Sequence, residues 1–258
     1  MMQYETAQRK DLAHLTKLWC CCFGDDEAAV AEFWEIFDQI TVFVAREKHP
    51  IAMLCALPVT YFDECGQAQR ASYLYAVCTD EKYRGQGICS KLMKFAEAFL
   101  KKQGFALTCL VPSNESLFAF YRKLGYQTAF YHDIYTVDAH GKAKIRKIDA
   151  TTYQNLRQMQ LYSDFISYDE WLLALQNGLY RIETEDVICC AAAEKHSNQL
   201  VIKELLPDDP QSASALAAYL GCSEVKVRTL GSTLPFGMAK SLLDLPCPTQ
   251  GYLGLAFD

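Results

Sequence analysis

The chain has 258 residues, 51% of them hydrophobic, and a net charge of −6. This length suits two mixed domains of about 100–150 residues, whose cores need no disulfide or metal. Up to Val137 there are 14 lysines and arginines against 16 acids, and after it 11 against 15. That balance excludes a nucleic-acid binder, which needs a basic surface, and weakly favours a cationic substrate such as an amine.

The cysteines and the apolar runs indicate the compartment. Twelve cysteines are present, some in contiguous runs such as 20–22 and 189–190, and no CxxC spacing occurs. The first ten residues are polar, and the longest apolar run, 51–59, is too short to cross a bilayer. We therefore predict a cytoplasmic protein without a membrane anchor, in which most cysteines are small buried hydrophobic residues.

The N-terminal half is expected to begin with two helices and three antiparallel strands. Apolar residues recur at helical spacing in 11–23, behind Asp11 as a cap, and again in 27–37. The strand, helix, strand order across 73–111 implies a parallel pair with a crossover helix. The full set of elements predicted in this half is strands at 41–47, 51–62, 68–79, 105–111 and 126–137, with further helices at 88–102 and 114–125.

The second half repeats this order in part. A polar linker, 138–147, separates a first domain, 1–137, from a smaller domain, 148–258, which we interpret as a diverged duplication of similar topology. The elements predicted in it are helices at 149–162, 167–177 and 211–220, and strands at 179–184, 187–194, 199–206, 224–230 and 251–257.

The stretch "TDEKYRGQGICSKL", 79–92, has the features of an anion site. The free N–H groups at a helix start, together with the helix dipole, attract an anion. Gly85 and Gly87 let successive N–H groups converge on one phosphate cluster, and Arg84 adds a charged donor.

Three phosphate-binding motifs compete for this stretch. A Walker loop requires GxxxxGK[ST], which is absent here. A dinucleotide fingerprint requires a third glycine where Ser90 stands, and the preceding strands are expected to be antiparallel. The pattern [Q/R]xxGx[G/A] fits "RGQGIC" except at Cys89.

This last pattern is the pyrophosphate loop of the GCN5-related N-acetyltransferases, and the resemblance extends further. "LYAVCTDEKYRGQGICSKLMKFAEAFLKKQGF" resembles the fourth strand, loop and third helix of that family, and "NESLFAFYRKLGYQ" resembles its N…A…FY…GF signature. The resemblance implies an α/β (α+β) fold over 1–137: a mixed, mostly antiparallel twisted sheet with flanking helices, the acyl-CoA N-acyltransferase fold. The second half is similar to a degenerate domain of the same kind.

The resemblance also implies acetyl-CoA as cosubstrate, without a metal, and places its contacts. Asn114 matches a side chain that contacts the pantetheine, and Tyr121 matches a tyrosine beside the cofactor sulfur. The main chain of the fourth strand would pair with the pantetheine arm, and the loop would hold the pyrophosphate. These two groups correspond to Ala76, Val77, Cys78 and Thr79, and to Arg84, Gly85, Gln86, Gly87, Ile88, Cys89 and Ser90.

The catalytic expectations follow from acyl-transfer chemistry. Tyr121 can protonate the departing thiolate, a role that the motif favours over that of a core tyrosine with a satisfied hydroxyl, and an N–H near Val77 can polarise the thioester carbonyl. Some multidomain acetyltransferases similar to the enhanced intracellular survival proteins use their C-terminal carboxylate as a base, which here is Asp258; a tail in solvent is the alternative. A covalent route through Cys78 or Cys89 lacks an adjacent histidine. The other base candidates, all open, are Glu5, Glu64, His132 and Asp133.

The sequence thus predicts an N-acetyltransferase that passes an acyl group directly from CoA to a primary amine of a small molecule or peptide. A non-catalytic acyl-CoA-binding or regulatory module is the main alternative, and a protein scaffold is a weaker one. In the second half, "IKELLPDDPQSASAL" places two aspartates at the matching helix start, which would repel a pyrophosphate. Four aromatic residues fit an acceptor pocket or a core equally well: Trp19, Phe33, Trp34 and Phe37.

Overall fold

A computed structural model of the chain describes residues 2–243 and 245–257 and divides by packing into two units. The domain limits predicted from the sequence stay a prediction. Each of the two units is built from three separate stretches of the chain. The first unit comprises Met1–Val59, Gln69–Gln127 and Ala239–Cys247, and the second comprises Thr60–Ala68, Thr128–Met238 and Pro248–Asp258.

The first unit is a mixed sheet with helices. Its strand order is β1-β2-β3-β4-β5, followed by the end of β13 beside β5. Strands β1, β2 and β3 pair antiparallel, whereas β4 and β5 are parallel and joined by α3, as predicted. The elements that lie wholly or in part in this unit are β1 (Gln3–Thr6), α1 (Leu12–Phe23), α2 (Glu27–Phe33), β2 (Thr41–Arg46), β3 (Pro50–Phe62), β4 (Ala68–Thr79), α3 (Ile88–Lys102), β5 (Leu107–Leu110), α4 (Glu115–Lys123) and β13 (Leu234–Ser241).

The core of the first unit forms where α3 packs on β2. Phe43 of β2 is fully buried, and its ring lies 6.0 Å from that of Phe95 and 5.3 Å from that of Phe99, centroid to centroid. Leu92 and Ala96, one turn apart on α3, are also fully buried. The 3.6-residue apolar period that predicted α3 therefore corresponds to its buried face.

The second unit is also mixed, and its sheet follows the order β13-β6-β12-β11-β10-β9-β7. Strands β11 and β12 are parallel and joined by α7, so this unit contains a strand, helix, strand crossover of its own. Its elements are β6 (Gln127–Asp138), β7 (Lys144–Lys147), α5 (Ala150–Gln158), β8 (Phe165–Ser167), α6 (Glu170–Leu173), β9 (Leu179–Glu183), β10 (Ile188–His196), β11 (Gln199–Leu206), α7 (Pro210–Tyr219) and β12 (Glu224–Leu230).

The strand predicted at 251–257 is wrong. The chain there makes only isolated bridges at Gly251 and Tyr252. Side chains take the place of a neighbouring strand: the Tyr168 hydroxyl donates to the carbonyls of Leu253 (2.7 Å) and Leu255 (2.9 Å). Gly254 between them has φ +78°, which breaks the extended conformation.

Other differences concern caps and strands. Asp11 does not cap α1, because its carboxylate accepts hydrogen bonds from Arg46 (2.8 Å) and from the N–H of Gln8 (2.9 Å). Residues 144–147 of the predicted linker form β7, and β13 was not predicted at all.

Candidate functional site

The first feature of the site is the edge of β4 that faces β5. The two strands pair only at Ala71–Leu107, Ser72–Thr108 and Tyr73–Cys109. Strand β4 then continues to Thr79, and Ala76 within this continuation has φ +49°, a rare conformation for a residue with a Cβ. The main chain of β4 beyond Tyr73 is therefore bent and open to pairing with an extended ligand.

The four β4 residues predicted to contact a cofactor lie on this continuation. Ala76, Cys78 and Thr79 are buried, and Val77 is half-buried. The Thr79 hydroxyl is buried without a hydrogen-bond partner among the described residues. An unsatisfied buried hydroxyl costs free energy, so a ligand that reaches it would gain a hydrogen bond there.

The glycine loop forms the second feature. Gly85 has φ +77° and Gly87 has φ +72°, and no described atom outside the immediate chain lies within 4 Å of a Cβ built at either position. Glycine is needed here for its left-handed backbone and not for space. Helix α3 begins directly after Gly87, and no side chain in the described part of the protein caps it.

The uncapped start of α3 presents its first N–H groups beside Arg84, which is exposed. The Arg84 Nε donates to the Thr79 carbonyl at 3.0 Å, which fixes the side chain along the end of β4. Gln86 is exposed, Ile88 is buried, and Cys89 and Ser90 are half-buried in the first turn of the helix. This part of the loop thus has the geometry and charge of an anion site.

Tyr121 on α4 lies next to the first turn of α3. Its side chain is 6% exposed, and burial, with a smaller effect of the neighbouring Cys89 thiol, raises its pKa. The hydroxyl therefore stays protonated at neutral pH and can donate a hydrogen bond, and it cannot serve as a base.

Asn114 caps α4 as predicted. Its side-chain oxygen accepts from the N–H of Leu117 (3.1 Å) and from the hydroxyl of Ser116 (2.6 Å). Its amide nitrogen has only a long contact to Ser113, 3.4 Å. The capping oxygen is thus engaged, while the exposed NH₂ group retains donor capacity for a ligand.

Two of the open base candidates have structural partners instead. Glu5 accepts from Arg46 at 2.7 Å. Asp133 accepts hydrogen bonds from Thr233, which lower its pKa. A carboxylate with a lowered pKa is a poor proton acceptor near neutral pH. Asp258, the other predicted catalytic residue, lies outside the described residues.

Cys22, at the last turn of α1, also lies in this region and was not predicted from the sequence. Its sulfur lies 3.9 Å from Arg84 Nη2 and 3.7 Å from the Thr79 carbonyl oxygen. A hydrogen bond with Cys78, together with the Arg84 charge, lowers the pKa of Cys22 to about 6. By contrast, burial raises the pKa of Cys89 to about 11, and the Cys22 hydrogen bond and burial raise that of Cys78.

The aromatic residues divide between core and surface. Trp19, Trp34 and Phe37 are at most 8% exposed and belong to the core. Phe33 is half-buried, and its ring lies 5.6 Å from that of Tyr75 on β4, centroid to centroid. The surface part of this cluster is therefore next to the bent part of β4.

No described helix is both long and apolar enough to cross a bilayer. No group of three or more His, Cys, Asp or Glu residues in the described ranges is arranged to hold a metal ion.

Comparisons with known proteins support a family assignment. The acetyltransferase (GNAT) family model matches residues 12–126, which include the bent strand, the glycine loop and Tyr121. A comparison with curated proteins gave no match.

Solved structures reproduce the fold over nearly the whole chain. A conserved protein of unknown function from Enterococcus faecalis V583 has a TM-score of 0.75 at 15% identity, covering 94% of this chain and 73% of that protein. GCN5-related N-acetyltransferases from Anabaena variabilis ATCC 29413 and Kribbella flavida have TM-scores of 0.73 and 0.71, both at 16% identity. Both cover 94% of this chain, and the chain covers 73% and 72% of them.

These comparisons confirm the predicted fold class, a mixed, mostly antiparallel sheet with flanking helices. The degenerate nature of the second half stays a prediction. Residues 12–126 of this chain are a domain of the GNAT acetyltransferase family.

Proposed function

We propose that the protein is an N-acetyltransferase that uses acetyl-CoA and transfers the acetyl group directly to a primary amine. The observation that carries this proposal is the uncapped start of α3, which follows two left-handed glycines and the bent edge of β4. Together they provide N–H groups for a diphosphate and an open strand edge for the amide-containing arm of CoA.

The family match supports acyl transfer from CoA in general, and the residues suggest how this chain would perform it. The bent main chain around Ala76 and Val77 would direct an N–H at the thioester oxygen, where negative charge develops. Tyr121 would donate its hydroxyl proton to the departing thiolate sulfur. Its raised pKa keeps the phenol protonated before the reaction, so the proton is present when the thiolate leaves.

The acceptor is proposed to carry a positive charge before it binds. Residues 24–45 include six acids and no lysine or arginine. Glu27, Glu32 and Glu35 of this segment are exposed, and Phe33, which follows Glu32 in the sequence, is half-buried. An acidic, partly aromatic surface favours an ammonium group with an apolar neighbour.

The proposal is tested with Tyr121→Phe, using Tyr126→Phe as the matched control. The Tyr126 hydroxyl is also buried, but it hydrogen-bonds to Thr108 at 3.0 Å and has a structural role. Acetyl-CoA turnover is measured with a panel of amines, and CoA binding is measured by calorimetry on the same samples. We expect Tyr121→Phe to lower kcat by about 10²–10³-fold with unchanged CoA affinity, since it removes one proton donor.

Two outcomes would contradict the proposal in different ways. If wild-type protein binds CoA but no amine in the panel gives turnover above the uncatalysed rate, the binding-module alternative replaces the enzyme. If CoA gives no binding heat, the anion-site interpretation itself fails. Equal loss of turnover in both tyrosine variants would show that Tyr121 acts through packing and not as a proton donor.

A further inference from the structure

Strand β7 forms the outer edge of the sheet of the second unit, and β9 is its only partner strand in the part of the chain that the structure describes. The N–H of Ile148, directly after β7, donates to the carbonyl of Leu179 in β9 at 2.9 Å. Hydrogen-bonded and non-hydrogen-bonded pairs alternate along an antiparallel ladder. The main-chain N–H and C=O groups of Ile145 and Lys147 therefore point away from β9, where they can pair with a further strand.

One face of β7 is basic. The side chains of Lys144 and Arg146 are 66% and 54% exposed, and both contact Glu183 of β9, at 2.9 and 3.4 Å. Arg181 of β9 contacts the same carboxylate at 2.6 Å. One carboxylate balances only one of these three cations, so positive charge remains in excess beside the free edge of the sheet.

The opposite face of β7 is apolar at its centre. Side chains alternate along a strand, so that of Ile145 lies on the other face from its two basic neighbours. It is half-buried against the core of the second unit, and it lies opposite Ile182, which is fully buried. A strand added to β7 would therefore meet basic side chains on one face and an apolar side chain on the other, at alternate positions.

The other acidic groups near β7 lie beyond its ends. The carboxylate of Asp149 caps α5 by accepting from a main-chain N–H of that helix at 2.7 Å. Glu185 and Asp186 lie between β9 and β10, and Glu185 shares a surface depression with Lys142. Residues 139–148 contain three lysines, one arginine and no acid, in a chain of net charge −6. The free edge itself is therefore basic.

We propose that the outer edge of β7 binds an extended acidic segment of another protein, which adds to the sheet as a strand. The main chain of this segment pairs with Ile145 and Lys147, which supplies affinity without regard to sequence. Its acidic side chains, at every second position, face Lys144 and Arg146 and select the partner by charge.

A second copy of this chain is a poorer partner than an acidic segment of another protein. Strand β1 at the edge of the first unit carries one acid, Glu5, which already contacts Arg46 at 2.7 Å. The acids of residues 24–45 lie in and beside helices, so they provide no acidic strand. Two copies of β7 would repel each other, because both are basic. The inference does not depend on the acetyltransferase proposal.

The first experiment measures peptide binding to the full-length protein by fluorescence anisotropy. The labelled probes are a heptapeptide of alternating glutamate and valine, its lysine and valine analogue, and a peptide with the same glutamates and valines in two blocks. We expect the alternating glutamate peptide to bind about tenfold more tightly than the block peptide, since only it matches the alternation of β7. Its affinity should fall as the salt concentration rises from about 0.02 to 0.15 M.

Three results of this experiment would overturn the proposal. Equal affinities for the two glutamate peptides, or tighter binding of the lysine peptide, would refute strand addition by an acidic segment. Binding of no peptide would show that the basic side chains only keep the edge from pairing with other strands. Tighter binding of a labelled single-stranded oligonucleotide than of any peptide would replace the proposed partner class by a nucleic acid.

The second experiment removes charge from the basic face. Lys144→Gln combined with Arg146→Gln should weaken binding of the alternating glutamate peptide by about 2–30-fold, because two cross-strand charge pairs are lost. Lys101→Gln combined with Lys102→Gln is the control, since both lysines are exposed at the end of α3 and the net charge changes equally. Equal effects of the two double variants would show that only net charge matters and would refute docking on β7.

The third experiment separates the main chain from the charge at one position. Lys147→Pro removes the outward N–H together with the charge, whereas Lys147→Gln removes the charge alone. Proline is tolerated at an edge position whose N–H faces solvent, and urea unfolding checks this. We expect the proline variant to bind the alternating glutamate peptide about 2–13-fold more weakly than the glutamine variant, the effect of one main-chain hydrogen bond. Equal affinities would refute strand addition, and where Lys147→Pro fails to fold, the comparison of the two glutamate peptides decides.

Discussion

The proposed anion site can be tested at one backbone position, Gly87. Its φ of +72° lies in the left-handed region, and the space around a Cβ there is open. Alanine at this position therefore meets no steric clash with described atoms. Its cost is the conformational free energy of a left-handed backbone with a Cβ, about 1–2 kcal/mol. The chain either accepts this strain or turns the amide away from the anion.

Gly104 provides a matched control at the other end of the same helix. Its φ is +80°, and the nearest atom to a Cβ, Arg70 Nη1, lies at an ordinary contact distance of 3.8 Å. Alanine there should cost the protein the same 1–2 kcal/mol of unfolding free energy. It should leave the start of α3 unchanged, because the substitution is separated from Gly87 by the whole helix.

The assay measures unfolding by urea and CoA affinity by calorimetry for both variants. We expect Gly87→Ala to lose less stability than Gly104→Ala, because its free loop relaxes, and to be the variant whose CoA affinity falls. Binding must then restore the left-handed conformation, and a cost of about 1–2 kcal/mol corresponds to a loss of about 5–30-fold. Equal CoA affinities for the two variants, with a smaller stability loss for Gly87→Ala, would refute the role of the Gly87 backbone in binding an anion.

Three further predictions concern stability and stoichiometry. Gly254→Ala should lower the free energy of unfolding, measured in urea, by more than about 3 kcal/mol, because the added Cβ would lie 2.0 Å from Glu204 Oε1, which belongs to a buried ion pair. A loss of only about 1–2 kcal/mol, the cost of backbone strain alone, would contradict this. Calorimetry should give one CoA per chain, because Asp208 and Asp209 at the start of α7 repel a pyrophosphate; a ratio of two for the wild-type protein refutes this argument. Burial tends to raise the pKa of Asp11, but the hydrogen bonds from Arg46 and from the Gln8 N–H, together with the Arg46 charge, outweigh burial and lower the pKa. The ionised Asp11 thus stabilises the fold above about pH 4, and this contribution is lost as the pH falls further. Between about pH 5 and pH 3 the thermal midpoint should therefore drop more for the wild-type protein than for Asp11→Asn. Parallel plots of midpoint against pH would contradict this.

The glycine loop could be predicted from sequence because its structure is decided locally. Two glycines next to an apolar helical period leave few alternatives for the backbone, and the structure gives both a positive φ. Asn114 and Gly125 mark the limits of α4 for the same reason, since a cap and a left-handed stop depend on a few consecutive residues.

Features that depend on distant partners were not predictable. Strand β13 contains a proline and a glycine, and it pairs with a neighbour far away in sequence: the N–H of Leu242, just after it, donates to the carbonyl of Ala106. Lys240 within it is half-buried because its ammonium group meets Glu97 at 2.6 Å. The contact of Cys22 with Arg84 was missed for the same reason, because no spacing rule links residues that only the fold brings together.

The two units show how the same topology can have or lack an anion site. Each contains a parallel strand pair joined by a helix, β4-α3-β5 and β11-α7-β12. Helix α7 is capped by Asp209, whose carboxylate accepts from the N–H of Ser212 at 2.9 Å, while Asp208 accepts from the Tyr135 hydroxyl at 2.6 Å. A carboxylate thus already occupies the place where an anion would bind. Helix α3 instead has Gly87 at its N-cap position, which has no side chain to accept a hydrogen bond, so the first N–H groups of the helix remain for a ligand. The capacity to bind CoA would therefore depend on the residues at the helix start, and not on the order of strands and helices.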